Sequence, residues 1–247
     1  MDTNICAVIH TWFNNKHLFN VSMVVGKDLR PRLQITRDHS MTHLELYDRP
    51  DGHRPNQCLT YYKYVQTLYR QKRKERQVFT LTDRHTLQLE IESSLFLMRA
   101  LVYLHLGQTR LAEKDLLFVL SCLGFVIKKS KRPGVKKSFK RYYDAAVLIY
   151  QKAQSTLALE QGESERANLF HQMAANSLQH LFETADQHAP CLGAEDLHAL
   201  GDFIHENVPT HRPAAVACEK EFALDDPTQN VKTTGRPAGV VFREQVA

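Results

Sequence analysis

The stretch from Leu33 to Pro55, LQITRDHSMTHLELYDRPDGHRP, constrains the fold of this chain more than any other. Its first part alternates apolar and polar residues, the period of a strand with one buried face. Its second part, DRPDGHRP over 48–55, suits neither a continuing strand nor a helix. Pro50 fixes φ and lacks an N–H. Gly52, after Asp51, offers a position where positive φ costs little. Pro55 pushes Arg54 out of the helical region. A sheet must end here and the chain must turn before a helix begins.

Upstream, LFNVSMVVG is β-branched and bounded by Gly26, and a polar turn KDLRP follows. Leu33 and Ile35 alternate with Gln34 and Thr36, a second turn falls around Asp38 to Ser40, and Met41, Leu44 and Leu46 resume the apolar face. Residues 18–47 therefore read as a three-stranded meander whose register is open, because the alternation is imperfect. The DRPDGHRP segment has two readings. It is a rigid turn joining sheet to helix, or it holds Arg49, Asp51 and Arg54 at a fixed geometry for a ligand.

From Gln57 onward the period becomes helical. Leu59, Tyr62, Val65 and Tyr69 recur at three- and four-residue spacing, and the helix closes at Gln77 on the basic run RQKRKER. Thr82 reads as an N-cap for a buried helix from Asp83 to Leu106. A second helix, Thr109 to Gly124, returns beside it. The segment from Lys128 to Arg141 holds eight Lys or Arg and no acid, and Pro133-Gly134 divides it into a loop and a helix start. Helices over Lys137–Gln161 and Ser164–Asp186 follow, then a short one over Glu195–His205, and beyond Pro209 the pattern dissolves into a flexible tail. The expected organisation is a small β-sheet region over 1–56, a helical domain over 57–208, and a tail over 209–247. The fold class is mainly α, with a small N-terminal antiparallel sheet and then a tetratricopeptide-like antiparallel stack.

The repeat signal lies in two hairpins. Ala100 and Ser155 each precede a glycine by seven residues (Gly107, Gly162), and Ala112 and Ala167 each follow that glycine by five. Small residues let paired helices approach, and the glycine serves the tight turn. The copies are 55 residues apart, whereas adjacent tetratricopeptide repeats are about 34 apart. Two ordinary αα-hairpins without repeat ancestry would give the same stack.

With these pieces placed, the chain resembles an uncharacterised bacterial family typified in planctomycetes. That family joins a short N-terminal sheet, carrying G-R-P-D-G-x-R-P, to a tetratricopeptide-like helical body, and many members end in a UvrB/UvrC-type (UVR) motif. Leu33, Gln34, Asp38, Glu45, Leu46, Arg49, Pro50, Asp51, Gly52, Arg54 and Pro55 match its sheet pattern. Ser40 stands where a turn glycine is usual, His43 replaces glutamine, and Asp48 replaces the glycine before Arg49. No UVR helix is visible at the C-terminus. The resemblance covers roughly residues 18–185 and implies a fold rather than an activity.

Composition sets the outer bounds. A chain of 247 residues with 43% hydrophobic content can bury a sizeable core. A net charge of +5 favours polyanion contact without requiring it. Five scattered cysteines (Cys6, Cys58, Cys122, Cys191, Cys218) form no C-x-x-C pair, which argues for reduced thiols and against a zinc ribbon. The N-terminus lacks a basic n-region, and the longest apolar run, Leu116 to Ile127, is shorter than the ~20 residues of a membrane span. The expectation is a soluble, cytoplasmic protein without membrane contact.

No nucleotide-binding glycine loop, G-x-S-x-G or H-E-x-x-H is present. His39 and His43, with His53 or Cys58, are the nearest approach to a metal set, but surface histidines beside a turn are common and are the reading preferred. Glu90 and Glu92 fall on different helix faces, Asp115 reads as a solvated edge or cap partner, and Cys122 as a core thiol. The expectation is no enzyme, no catalytic residue and no cofactor. The first function expected is a protein-interaction module that holds a protein segment on its stacked helices. The alternative is a nucleic-acid-associated protein, which the UVR-bearing members of the resembled family would link to DNA repair; it requires Lys128–Arg141 to form one continuous positive surface with Arg70–Arg76. Lys128, Lys129, Lys131, Arg132, Lys136, Lys137, Lys140 and Arg141 would neutralise phosphates, and Phe139, Tyr142 and Tyr143 would stack on bases.

Overall fold

The computed structural model describes residues 4–15, 19–26, 28–37, 40–184 and 192–206. These belong to one unit, Met1–His211, while the tail expected over 209–247 lies outside the described residues. The chain opens on a helix that the strand-centred reading of this region leaves out, α1 (Ile5–Asn15). The Asn4 side chain caps it, accepting from the Ala7 N–H at 2.7 Å. Ile5, Val8, Ile9, Trp12 and Phe13 fall on one face and are all buried.

The meander follows as β1 (Asn20–Val25), β2 (Pro31–Arg37) and β3 (Ser40–Glu45), antiparallel in the order β1-β2-β3. Leu33 pairs with Met23 and with Leu44, and Ile35 with Val21 and Thr42, which fixes the register. Leu33, Ile35 and Leu44 are buried on the inner face. On the outer face Arg32 Nε donates to Glu45 Oε1 across the strand pair at 2.7 Å.

A 3₁₀ turn at Pro55–Gln57 leads into α2 (Tyr61–Lys74), shorter at both ends than expected. Then come α3 (Asp83–His105), α4 (Thr109–Lys129), α5 (Pro133–Glu160), α6 (Ser164–Thr184) and α7 (Ala194–His205). Thr82 caps α3 as its sequence indicates, accepting from His85 N at 3.2 Å. From α2 to α6 each helix packs on the next in sequence. The C-terminal half of α5 is enclosed on every side, with all residues from Gln151 to Ala158 buried. α1 packs on α3 and α7, and α7 also packs on α6.

The two hairpin loops are chemically alike. Gly107 (φ 69) and Gly162 (φ 78) occupy the left-handed region just past their helices. In the first loop Gln108 N bonds Tyr103 O and Gly107 N bonds Leu104 O; in the second, Glu163 N bonds Ala158 O and Gly162 N bonds Leu159 O. Both are Schellman closures. A Cβ would meet nothing at either position, so the backbone angle and not space requires glycine. Ala100, Ala112, Ser155 and Ala167 are all buried, and the Ser155 hydroxyl donates to Ala167 O at 2.9 Å. The hairpin helices are 23 and 21 residues, then 28 and 21, so each pair is longer than a tetratricopeptide unit of about 34 residues.

α4 does not stop at Gly124 but continues to Lys129, and α5 starts at Pro133 rather than Lys137. Gly124 faces Tyr143, whose Cε2 would lie 3.7 Å from an added Cβ. Packing on both neighbours outweighs its low helix propensity. Among the described residues no helix is long and apolar enough to cross a membrane.

Candidate functional site

Two places concentrate charge. The first is the DRPDGHRP turn, and α3 holds it from beneath. Arg99, buried in the apolar run LFLMRALVYLHL, donates Nη1 to Glu45 O (2.7 Å) and Asp48 O (2.9 Å). One turn further along α3, Tyr103 Oη donates to Leu46 O at 3.0 Å. Burial pushes the Tyr103 phenol up to about 12, so it stays a donor. The rest of the Arg99 guanidinium forms a bidentate pair with Asp115 on α4, at 2.7 and 2.8 Å. Asp115 is therefore buried and paired, which corrects the expectation of a solvated edge.

Two turns back from Arg99 along the same face of α3, Glu92 is fully buried and accepts from the Tyr61 and Tyr62 amides at 2.6 and 2.7 Å. It satisfies the first amides of α2, where the helix dipole favours an anion. Burial raises Glu92 above the ordinary carboxylate value, and the two amides and Arg49 oppose that rise. Arg49 is only 5% exposed. Its Nη1 lies 3.5 Å from Glu92, and its Nε lies 3.0 Å from Asp51 Oδ1, an off-axis ion contact that makes no hydrogen bond.

The turn closes on itself as well. Glu45 N bonds Pro50 O, Gly52 N bonds Arg49 O, and the Asp51 side chain accepts from His53 N. Asp48 takes φ 61, and Gly52 takes φ 71. Of the three charges that could have faced a ligand, Arg49 points into the protein and Asp51 pairs with it. Arg54, exposed, pairs with Asp48 at 3.3 Å. Pro50 is buried and Pro55 begins the 3₁₀ turn. The rigid-turn reading accounts for all six motif residues.

The second place is the basic end of the stack. Tyr62 on α2 meets Phe118 on α4 edge-on at 5.7 Å, and seven residues later Tyr69 meets Phe125 at 5.9 Å. This matched spacing makes α2 and α4 parallel, so their basic last turns lie at the same end. Lys129 locks them there: Nζ donates to Tyr69 Oη at 2.7 Å and sits 4.0 Å from the ring centroid. The bond from Lys129, with the nearby charges of Lys129, Arg73 and Lys128, holds the Tyr69 phenol below its ordinary value despite some desolvation.

The eight basic residues expected to act together have different fates. Lys128 and Lys129 are helical, Arg132 pairs with Asp83 at the start of α3, and Lys140 pairs with Asp144. Lys131, Lys136 and Lys137 are exposed and Arg141 is half-buried. Phe139 and Tyr142 are buried, which corrects the expectation that they stack on bases; only Tyr143 is part-exposed. A shallow groove of about 520 Å³ lies between the starts of α3 and α5, lined by Glu90, Arg132, Phe139 and Tyr142 among others. Burial raises Glu90 there, while a hydrogen bond from Tyr142 opposes the rise.

His43 is exposed and meets Gln34 at 3.2 Å, His53 is exposed, and His39 lies outside the described residues. Among the described residues no group of three His, Cys, Asp or Glu could hold a metal ion. Cys122 is a core thiol 3.7 Å from Leu89 O, pushed well above its ordinary value by burial. Sequence reasoning missed Glu92 as a cap, Arg99, and Lys152. Buried Lys152 on α5 donates to Ile204 O and Glu206 O at the end of α7, at 2.8 and 2.7 Å. Compared with known protein families, curated proteins and solved structures, the chain shows no significant match.

Proposed function

We propose that this chain is a non-enzymatic binding module, a fixed helical frame whose surface meets its partner. The observation that supports this most is the use made of the buried ionisable groups. Glu92, Arg99, Asp115 and Lys152 are all buried, and each bonds main-chain groups or a partner charge of the same chain. A general acid or base has to face substrate with a movable proton. Glu92, Arg99 and Lys152 face peptide groups, Arg99 and Asp115 face each other, and together they fasten one element to the next.

Stacked helical hairpins of tetratricopeptide-like form suit a protein segment as partner. Leu169 and Met173, one turn apart on α6, are 55% and 41% exposed and supply an apolar contact. A photo-crosslinking residue at the adjacent, exposed Gln172 is expected to trap one protein of defined mass in cells. The adduct should vanish with Leu169→Lys. No adduct, or one that persists in that variant, would remove the protein-partner reading.

A second reading, nucleic-acid association, is favoured by a different observation. The Lys129–Tyr69 contact gathers the basic ends of α2 and α4 at one end of the stack.

A further inference from the structure

We infer that the ends of α2 and α4 form one composite surface that binds the phosphate backbone of a nucleic acid without reading its sequence. The inference deepens the second reading above and rests on it. It also moves the contact. The sequence places it along Lys128–Arg141 and asks whether that run joins Arg70–Arg76; the fold places its strongest part across the ends of α2 and α4, far apart in the chain.

The charge balance carries the argument. Arg70, Arg73, Lys74 and Arg76 on the α2 side and Lys128 and Lys131 on the α4 side are all exposed. Among the described residues none of these six side chains has an ion pair or hydrogen bond. The acids nearby are already engaged: Glu75 accepts from Gln71 and approaches Lys72, and Asp83 pairs with Arg132. Two helix C-termini contribute about −0.5 charge each. Six unpaired cations outweigh that several-fold, so the end carries a net positive field.

The geometry selects the partner. Tyr62, Tyr69, Phe118 and Phe125 are held in the seam between α2 and α4, and Phe139 and Tyr142 are in the core. Without a row of free rings there is no platform for successive bases, and contact falls to the backbone phosphates. A lipid surface fits less well. The apolar face of α2, with Tyr61 and Val65, is already buried against the body. An interfacial helix needs that face free to enter the bilayer.

The test is fluorescence anisotropy of the full chain with labelled mixed-sequence duplex DNA and single-stranded RNA, between about 50 and 200 mM salt. Phosphatidylserine vesicles form a parallel arm. Wild type is expected to bind different sequences equally, with a log–log salt slope of about −4 to −5 on duplex. Arg73→Glu with Lys128→Glu should weaken binding roughly tenfold and flatten the slope by about two. Lys136→Glu with Lys140→Glu, on the α5 side, should lose much less. No binding to either nucleic acid at low salt would overturn the second reading itself, as would binding to vesicles alone. Nucleic-acid binding lost mainly in the α5-side pair would leave that reading in place and overturn the composite surface.

Discussion

Arg99 on α3 and Asp115 on α4 are joined by two parallel hydrogen bonds of 2.7 and 2.8 Å in the protein interior. The remaining arm of the same guanidinium holds the main chain at Glu45 and Asp48. One side chain thus fastens the first hairpin and ties the sheet's exit turn to it.

Removing one member of this pair should be costly, because the other is left charged and buried. Asp115→Ala is expected to lose about 3–5 kcal/mol of unfolding free energy. The double variant Arg99→Met with Asp115→Leu should lose clearly less than the two single variants together. It will not recover wild-type stability, since two turn carbonyls lose their donor. Urea unfolding of all four proteins gives the coupling. Additivity within about 0.5 kcal/mol would show that the two residues do not act as a pair.

The turn itself offers a comparison of two left-handed positions. Gly52 at φ 71 has Glu45 Cγ where a Cβ would approach to 3.3 Å, so Gly52→Ala combines backbone strain with crowding. A loss of about 1–2 kcal/mol is expected. Asp48→Gly should be close to neutral. It relieves about 1 kcal/mol of backbone strain at φ 61. It also gives up an exposed pair with Arg54 worth at most about 1 kcal/mol. Thermal melts of both variants decide the matter. An Asp48→Gly loss larger than that of Gly52→Ala would mean that the Asp48 side chain, not the backbone, holds the turn.

What could be read in the sequence was what repeats locally. The strand alternation around Leu33 and Ile35, the Thr82 cap and the glycine loops at 107 and 162 each have a short-range cause. α1 carries an equally clear stripe through Ile5, Val8, Ile9, Trp12 and Phe13 and is legible for the same local reason. Arg99 and Glu92 left no local trace. Their partners stand 16 and 31 residues away, and a charge inside an apolar run shows no direction. The basic run at 128–141 was visible as composition. Its relation to the α2 end depends on two aromatic pairs, Tyr62–Phe118 and Tyr69–Phe125, whose matched spacing acquires meaning only once α2 and α4 are known to be neighbours.

Lys152 sets the attachment of α7. Its ammonium lies at the C-terminal end of that helix, where a cation complements the dipole and satisfies carbonyls left open. Lys152→Met keeps the apolar stem and removes both bonds. Hydrogen exchange is expected to speed up across 194–205 while the centres of α3 and α4 stay protected. The global loss should be about 1–3 kcal/mol. A uniform change along the whole chain would show that α7 has no separate attachment at this point.

His85 gives the cap of α3 a pH dependence. Thr82 Oγ1 accepts from His85 N, and His85 Nδ1 accepts in return from Thr82 N at 3.4 Å. A protonated ring cannot accept that bond. Burial, with the nearby Arg84 charge, holds His85 below its ordinary value of 6.5. Between the depressed folded value and 6.5 the unfolded chain binds more protons than the folded one, so stability rises with pH across that window. As pH falls through it, the contribution is lost. His85→Gln keeps an acceptor at the third helical position and does not titrate. From about pH 7.5 to about pH 5 the wild-type urea midpoint should therefore fall further than that of His85→Gln. Thr82→Ala should be lower than wild type by about 1 kcal/mol at neutral pH, which calibrates the cap itself. The other histidines are common to wild type and His85→Gln and cancel in the difference. Parallel pH profiles for these two proteins would show that the ring does not close the capping box.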